Sequence, residues 1–221
     1  MSLLRATVIV LLLLTMPAFG KKLQPSWKTV RVIQDKYLQK AHLMKAGVGV
    51  AESLAVTLNT PECLAEIGNR LSYPYMLKAR TLAYDGRGNY VVSGPEDIPA
   101  ALGVLGDRLL YAERWAAFTK ELAVMVVRTR DGDCISYPTV ETVHSGSICK
   151  LVFAPARVPA GIAERARLLA ERAVASFWGA GVFGVEMFLL GDGKNCPPPS
   201  PTHSPTHPLT HSLTHAPITS R

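Results

Sequence analysis

The stretch Tyr73–Asn89, YPYMLKARTLAYDGRGN, decides the fold. Tyr75-Met76-Leu77 is a short apolar run of the kind a buried strand carries, with Lys78 at its end and Arg80 close behind. Asp85-Gly86-Arg87-Gly88-Asn89 then sets two glycines one residue apart, and Tyr90-Val91-Val92 resumes a strand. The pattern predicts a hairpin whose turn is richer in glycine and charge than a two-residue turn requires. Glycines let successive N–H groups approach a ligand and cradle phosphate oxygens, and a lysine at the strand end adds a point charge for them. Composition alone also allows a plain hairpin. No Gly-Lys-Ser/Thr follows, so this is not a Walker loop.

Outward from this stretch, length and composition set the bounds. The 221 residues suffice for one large domain or two small ones, and the 48% apolar share is enough for a core. The net charge of +7 is not a nucleic-acid signal. Arg5, Lys21, Lys22, Lys28 and Arg221 lie in terminal stretches that contain no acid, and the remaining 19 of the 24 basic residues face 17 acidic ones. Cys63, Cys134, Cys149 and Cys196 form no CxxC pair and have no histidine at zinc spacing, so we read them as reduced, mostly buried thiols.

In chain order, residues 23–30 read as a linker. Gln34-Asp35-Lys36 opens a helix carrying Tyr37, Leu38, His42 and Leu43, with His42 on its surface and Gly47 as its stop. Val48–Val56 reads as a strand. Thr60-Pro61-Glu62 opens a second helix, with Leu64, Ile67 and Leu71 as its inner stripe. Glu96–Leu102 suggests a short helix, and Leu109–Ala112 a strand leading into Glu113-Arg114-Trp115-Ala116. Leu122–Val127 is a strand preceded by Lys120-Glu121, and Arg130–Asp133 a hairpin turn with Ile135 and Tyr137 on the return. By composition, Glu121 is an edge-strand acid paired with Lys120 and His144 is incidental. Val158–Phe177 is the clearest helix, with Ile162, Ala166, Leu169, Ala173 and Phe177 on one face. The strand Val182–Leu190 is interrupted by a single carboxylate, Glu186. An unpaired buried carboxylate is costly, so Glu186 calls for a cation or a metal.

The segment LKARTLAYDGRGN resembles the lysine-plus-glycine loop of the ATP-grasp ligases. Within them it is most similar to the fungal ATP-dependent phosphoribosylaminoimidazole carboxylases, also called carboxyaminoimidazole ribonucleotide synthases. The resemblance runs from about Gln24 to Lys194 and implies an α+β, ATP-grasp fold, incomplete here, over 31–194. It implies ATP and Mg2+ as cofactors, and bicarbonate and aminoimidazole ribonucleotide as further ligands, in de novo purine biosynthesis. Lys36 of the QDK segment and Lys78 would bind ATP phosphates, as would the loop residues Ala83, Tyr84, Asp85, Gly86, Arg87, Gly88 and Asn89. Glu113, Arg114, Trp115 and Ala116 would form the hinge under adenine, largely through main-chain groups. Glu121 would take the ribose hydroxyls, His144 would join the ATP site, and Glu186 would be the first magnesium ligand. No catalytic side chain is assigned. A homodimer is an open state of assembly, and the resemblance implies a cytoplasmic protein.

The two ends depart from that pattern. Arg5, the apolar run Val8–Leu14 and Pro17-Ala18-Phe19-Gly20 over 1–22 have the layout of a secretory signal; a misplaced start or translated intron is the alternative. Residues 195–221 form a Pro/Thr/His tract, with Thr-His at 202, 206, 210 and 214, which should be disordered; weak metal binding is its other reading. The Asn-Glu pair that completes the family's magnesium site does not follow Lys194. The expectation is therefore a weakly active or inactive partial ligase with an unpaired sheet edge. Its alternatives are a non-catalytic ATP-binding remnant and a secreted or membrane-tethered protein on the same scaffold.

Overall fold

The computed structural model describes residues 4–7 (backbone only), 25–83, 88–145 and 148–191. In chain order, β1 (Leu4–Thr7) precedes α1 (Trp27–Gln34), α2 (Lys36–Lys45), β2 (Ser53–Ala55), α3 (Pro61–Leu71), β3 (Tyr75–Ala79) and β4 (Asn89–Val92). A 3-10 turn at Pro95–Asp97 leads into α4 (Ile98–Leu105), β5 (Leu110–Arg114), β6 (Phe118–Arg128) and β7 (Cys134–Ser136). Then follow β8 (Val140–Ser145), β9 (Ile148–Phe153), α5 (Ala160–Ala175) and β10 (Gly181–Leu190).

These strands make two antiparallel sheets. The smaller is ordered β2-β5-β3-β4 and the larger β1-β10-β6-β8-β9, with β7 also paired to β6. In the small sheet the pleat sends Tyr75, Leu77 and Ala79 into a core with Leu64, Ile67 and Leu71 of α3 and Ile98, Ala101 and Leu105 of α4. Tyr75 is wholly buried, and its hydroxyl donates to the Leu64 carbonyl at 3.1 Å. In the large sheet Leu122, Val124 and Val126 of β6 and Phe183, Val185, Met187 and Leu189 of β10 lie under α5. That helix presents Ala166, Ala170, Ala173 and Val174, small side chains that let it settle close to the sheet.

Helix α2 joins the two halves. Its Leu43 belongs to the large-sheet core, while Lys40 on another face reaches Glu113 of the small sheet. The hairpin reading of Tyr73–Asn89 holds: Leu77 pairs with Tyr90 and Lys78 with Asn89, although β3 continues past Lys78 to Ala79.

Several expectations need correction. Trp27–Val30, read as linker, is helical, because Ser26 accepts the Thr29 N–H as an N-cap. His42 is not a surface residue. It is half-buried, lies 4.8 Å from the Phe177 ring in a stacked pose, and its Nε2 is 3.0 Å from the Ser176 carbonyl oxygen. Of Val48–Val56, only Ser53–Ala55 finds a strand partner. The chain turns at Gly47 (φ 71°), and the Val48 N–H closes back on the Leu43 carbonyl, so Val48 packs beneath α2 instead of joining a ladder.

The large sheet ends at β1 and β9, so β10 is not an edge strand: β1 lies beside it, with Leu4 opposite Leu189 and Thr7 opposite Glu186. At the other end lies β9, over an apolar run, ICKLVF, that is not among the expected strands; its Ile148, Leu151 and Val152 are exposed. Cys63 and Cys134 are half-buried free thiols, and Cys149 is exposed rather than buried. Among the described residues no helix is long and apolar enough to cross a membrane. The rest of the signal-like segment, the Thr-His tract and Cys196 lie outside the described residues.

Candidate nucleotide site

Register builds the first half of the site. Lys78 stands opposite Tyr111, and Met76 opposite Glu113, so Lys78, Tyr111 and Glu113 share the face of the small sheet turned away from α3 and α4. Helix α2 supplies Lys36 and Lys40, four residues apart and therefore on one side of the helix. Lys40 Nζ lies 2.7 Å from Glu113 Oε1, and Lys78 Nζ lies 2.9 Å from Glu113 Oε2. Lys36 Nζ donates to the Ala83 carbonyl at 3.2 Å, at the threshold of the glycine loop.

The start of α2 is fastened to the end of β3. Asp35 Oδ1 accepts the Tyr37 and Leu38 N–H groups at 3.0 Å each, and Arg80 Nη2 pairs with Asp35 Oδ2 at 2.5 Å. The Lys36 N–H donates to the Arg80 carbonyl at 2.9 Å.

Glu113 is nearly inaccessible. Burial pushes its pKa up, but the Lys78 and Lys40 ammoniums together outweigh burial and hold it at about 2. Lys36 and Lys40 are both pushed below the ordinary lysine value, first by burial; Lys78 adds to the depression, and Glu113 offsets part of it. Burial, with the Glu113 carboxylate beside it, pushes the Tyr111 phenol far up, so it stays a neutral donor. Three ammoniums around one carboxylate leave excess positive charge, which suits a polyanion.

The second half lies on the large sheet. Glu121 of β6 pairs in register with Phe188 and with Thr142, so it sits in the sheet interior. The composition reading of an edge acid bonded to Lys120 fails: Glu121 contacts His144 Nδ1, and Lys120 bonds Glu141 instead. Glu186 stands opposite Ala123, which places it on the same face as Glu121. Its partners in β10 alternate, with Val185 and Met187 buried beneath α5, so the strand is buried on one face and not on both. Burial raises the pKa of Glu186; His144 opposes and Glu121 reinforces the rise. Burial likewise raises Glu121 against the pull of His144.

Among the described residues no three His, Cys, Asp or Glu side chains converge to hold a metal. Magnesium needs only one or two carboxylates when phosphate oxygens and water complete its shell. Glu186, charged only at a cost, fits that mode, and a closed protein cage does not.

The expected residues thus fall into two groups. Lys36, Lys78, Ala83 and Glu113 come together, with Asn89 opposite Lys78 and its Oδ1 buried without a partner. Gly88 is buried beside Ala83 and Ala79. Glu121, His144 and Glu186 form the other group. Among the described residues no ion pair or hydrogen bond joins the two. Arg114 leaves the site: it pairs with Glu52 at 2.8 Å and donates to the Leu71 carbonyl at 2.7 Å. Trp115 and Ala116 are half-buried in the connection after β5, whereas Glu113 and Arg114 still belong to that strand. Tyr84, Asp85, Gly86 and Arg87 lie outside the described residues. Sequence reasoning missed Lys40 and the side-chain role of Glu113. The four-residue spacing from Lys36 and the lone acid ending an apolar strand were the available signals.

The ATP-grasp domain model matches residues 41–195. With that match and the two-sheet architecture, the chain belongs to the ATP-grasp family. Within it, the chain is 58% identical over 176 residues to phosphoribosylaminoimidazole carboxylase of Ogataea methanolica, covering 80% of this chain and 32% of that protein. It is 56% identical over 173 residues to the Saccharomyces cerevisiae enzyme of the same name, covering 78% and 30%. The carboxyaminoimidazole ribonucleotide synthase of Aspergillus clavatus, solved with ATP, superposes with a TM-score of 0.74 at 58% identity, over 76% of this chain and 44% of that one. A second structure of the Aspergillus clavatus enzyme, with ADP and 5-aminoimidazole ribonucleotide, gives a TM-score of 0.72 at 56% identity, over 76% and 43%. The similarity is to the fungal type of this carboxylase, and the chain spans about a third of the length of the curated relatives it matches.

Proposed function

We propose that this chain binds ATP and serves the ATP-dependent carboxylation of aminoimidazole ribonucleotide with bicarbonate. The observation that carries the reading is the pairing of Lys40 and Lys78 with one buried carboxylate, with Lys36 near enough to sense both at the Ala83 end of the glycine loop. The Aspergillus clavatus relatives hold ATP, or ADP with the aminoimidazole ribonucleotide, which supports the same ligands here.

In this mechanism the γ-phosphoryl group passes from ATP to a bicarbonate oxygen, giving ADP and carboxyphosphate. Carboxyphosphate releases phosphate and carbon dioxide, and the exocyclic amine of the ribonucleotide attacks that carbon and loses a proton. Such transfer depends on placement and charge neutralisation more than on side-chain chemistry. Lys78 and Lys36 hold phosphate oxygens, and Lys36 also anchors the Ala83 end of the loop. The main chain of Glu113 and Arg114 begins the hinge for adenine, with Trp115 and Ala116 beyond them, while the Arg114 side chain stays on Glu52. Glu121 accepts the ribose hydroxyls, with His144 fixing its carboxylate. Glu186 would hold magnesium, which when bound neutralises phosphate charge.

Calorimetric titration of the purified chain tests this. ATP is expected to bind more tightly than adenosine, and Lys78→Met to weaken ATP by about tenfold or more. A folded chain that binds no ATP refutes the reading. One carboxylate among the described residues stands ready for the metal, so ATP- and bicarbonate-dependent phosphate release by this chain alone is expected to be slight. Robust turnover would refute that part.

A further inference from the structure

Lys40 has no route to a ligand. Its side chain is 4% exposed, against 16% for Lys78, and Glu113 between them is 6% exposed. The carboxylate is shared, with one oxygen for each ammonium. If Lys40 were neutral, Glu113 would cancel the charge of Lys78, and a phosphate arriving at Lys78 would meet a neutral ion pair with Lys36 alone left uncompensated. With Lys40 charged, the buried Lys40–Glu113 pair is neutral as a unit, and Lys78 keeps both its anchor and a net positive charge. A second cation is not needed to bury Glu113, since Lys78 alone would satisfy it; the second cation leaves Lys78 uncompensated in addition to Lys36.

We propose that Lys40 is a positioning residue of the anion site, acting through Glu113: it neutralises that carboxylate so that Lys78 stays fixed yet uncompensated toward phosphate. This rests on the nucleotide reading only for the identity of the anion, since any polyphosphate would sense the same charge.

The test titrates the full chain at low salt with inorganic tripolyphosphate, ATP and adenosine. Lys40→Met is expected to weaken tripolyphosphate and ATP by about tenfold and to leave adenosine within about twofold, because one unit of charge is lost near the phosphates alone. Lys40→Met with Glu113→Gln removes a neutral pair, and its tripolyphosphate affinity is expected to return to within about threefold of wild type. A purely structural lysine would lower all three ligands together and would not be rescued by the second substitution. Unchanged tripolyphosphate affinity in folded Lys40→Met, absence of recovery in the double variant, or a wild type that takes up no tripolyphosphate each overturns the proposal. If Lys40→Met does not fold, the double variant decides: near-wild-type affinity upholds the proposal, and about a tenfold loss overturns it. A wild type that binds tripolyphosphate but no ATP removes the nucleotide reading and leaves this one standing.

Discussion

Gly88→Ala isolates the packing that sets the glycine loop against Lys36. Gly88 is buried, and a Cβ there would collide with the Ala83 Cβ while standing 3.2 Å from the Ala79 Cβ and 3.3 Å from the Ala83 Cα. Ala79 is fully buried in β3 and is held by its N–H to the Gly88 carbonyl at 2.7 Å, so it cannot yield. The Ala83 backbone must retreat. Its carbonyl accepts from Lys36 at 3.2 Å, and a shift of about 0.5 Å carries that contact beyond hydrogen-bond range. Overpacking of this kind costs about 1–3 kcal/mol. Losing a hydrogen bond from a charged donor adds to it, less what the half-buried ammonium regains from water, for about 2–4 kcal/mol in all. Urea unfolding reads this as a lower midpoint at constant slope, and ATP affinity falls with it. Gly103→Ala and Gly161→Ala are the internal controls, since a Cβ at either has nothing within 4 Å. Both positions are helical, and each control should be neutral or stabilising by up to about 1 kcal/mol. A Gly88→Ala protein that matches these controls in stability and matches wild type in ATP affinity would refute the reasoning.

Acid should weaken the small-sheet half. Glu113 is held at about 2 in the folded chain against an ordinary value of 4.5, so the unfolded chain binds more protons between those values. Its contribution, at most about 3 kcal/mol, is present above pH 4.5 and fades as pH falls toward 2; Glu113→Gln should flatten a urea-midpoint profile across that window. Glu186 is the opposite case. Its pKa is raised, so the folded chain favours the proton, and stability drops as pH climbs above 4.5. Glu186→Gln should therefore raise the melting temperature at neutral pH while abolishing magnesium-dependent strengthening of ATP binding; an unchanged or lower melting temperature would count against the buried-charge account. Thr29→Val is a near-isosteric change that strands the Trp178 N–H, which Thr29 Oγ1 accepts at 2.8 Å, and removes the 2.6 Å bond to the Trp178 carbonyl, which keeps only the Ser26 N–H at 3.3 Å. Denaturant unfolding should show a loss of about 1–3 kcal/mol.

The sequence by itself determined the local and the periodic. The hairpin around Leu77–Tyr90, the caps at Asp35 and Thr60, the helix centred on Ala166–Ala173 and the odd carboxylate in Val182–Leu190 are all written in near-neighbour spacing, where backbone geometry and side-chain period act directly. So is the resemblance carried by Lys78 and the glycine loop, whose residues run contiguously, with Lys36 read from its own QDK segment. Tertiary structure decided whatever depends on who sits opposite whom. No local pattern says that Glu113 is shared by Lys40 and Lys78, since those three residues come from a helix and two strands. Nothing local says that Arg114, the next residue, turns to Glu52, or that Leu4–Thr7 supplies the strand beside Glu186. A charge's worth depends on its distance to other charges and its loss of water, and both are fixed only when distant segments pack.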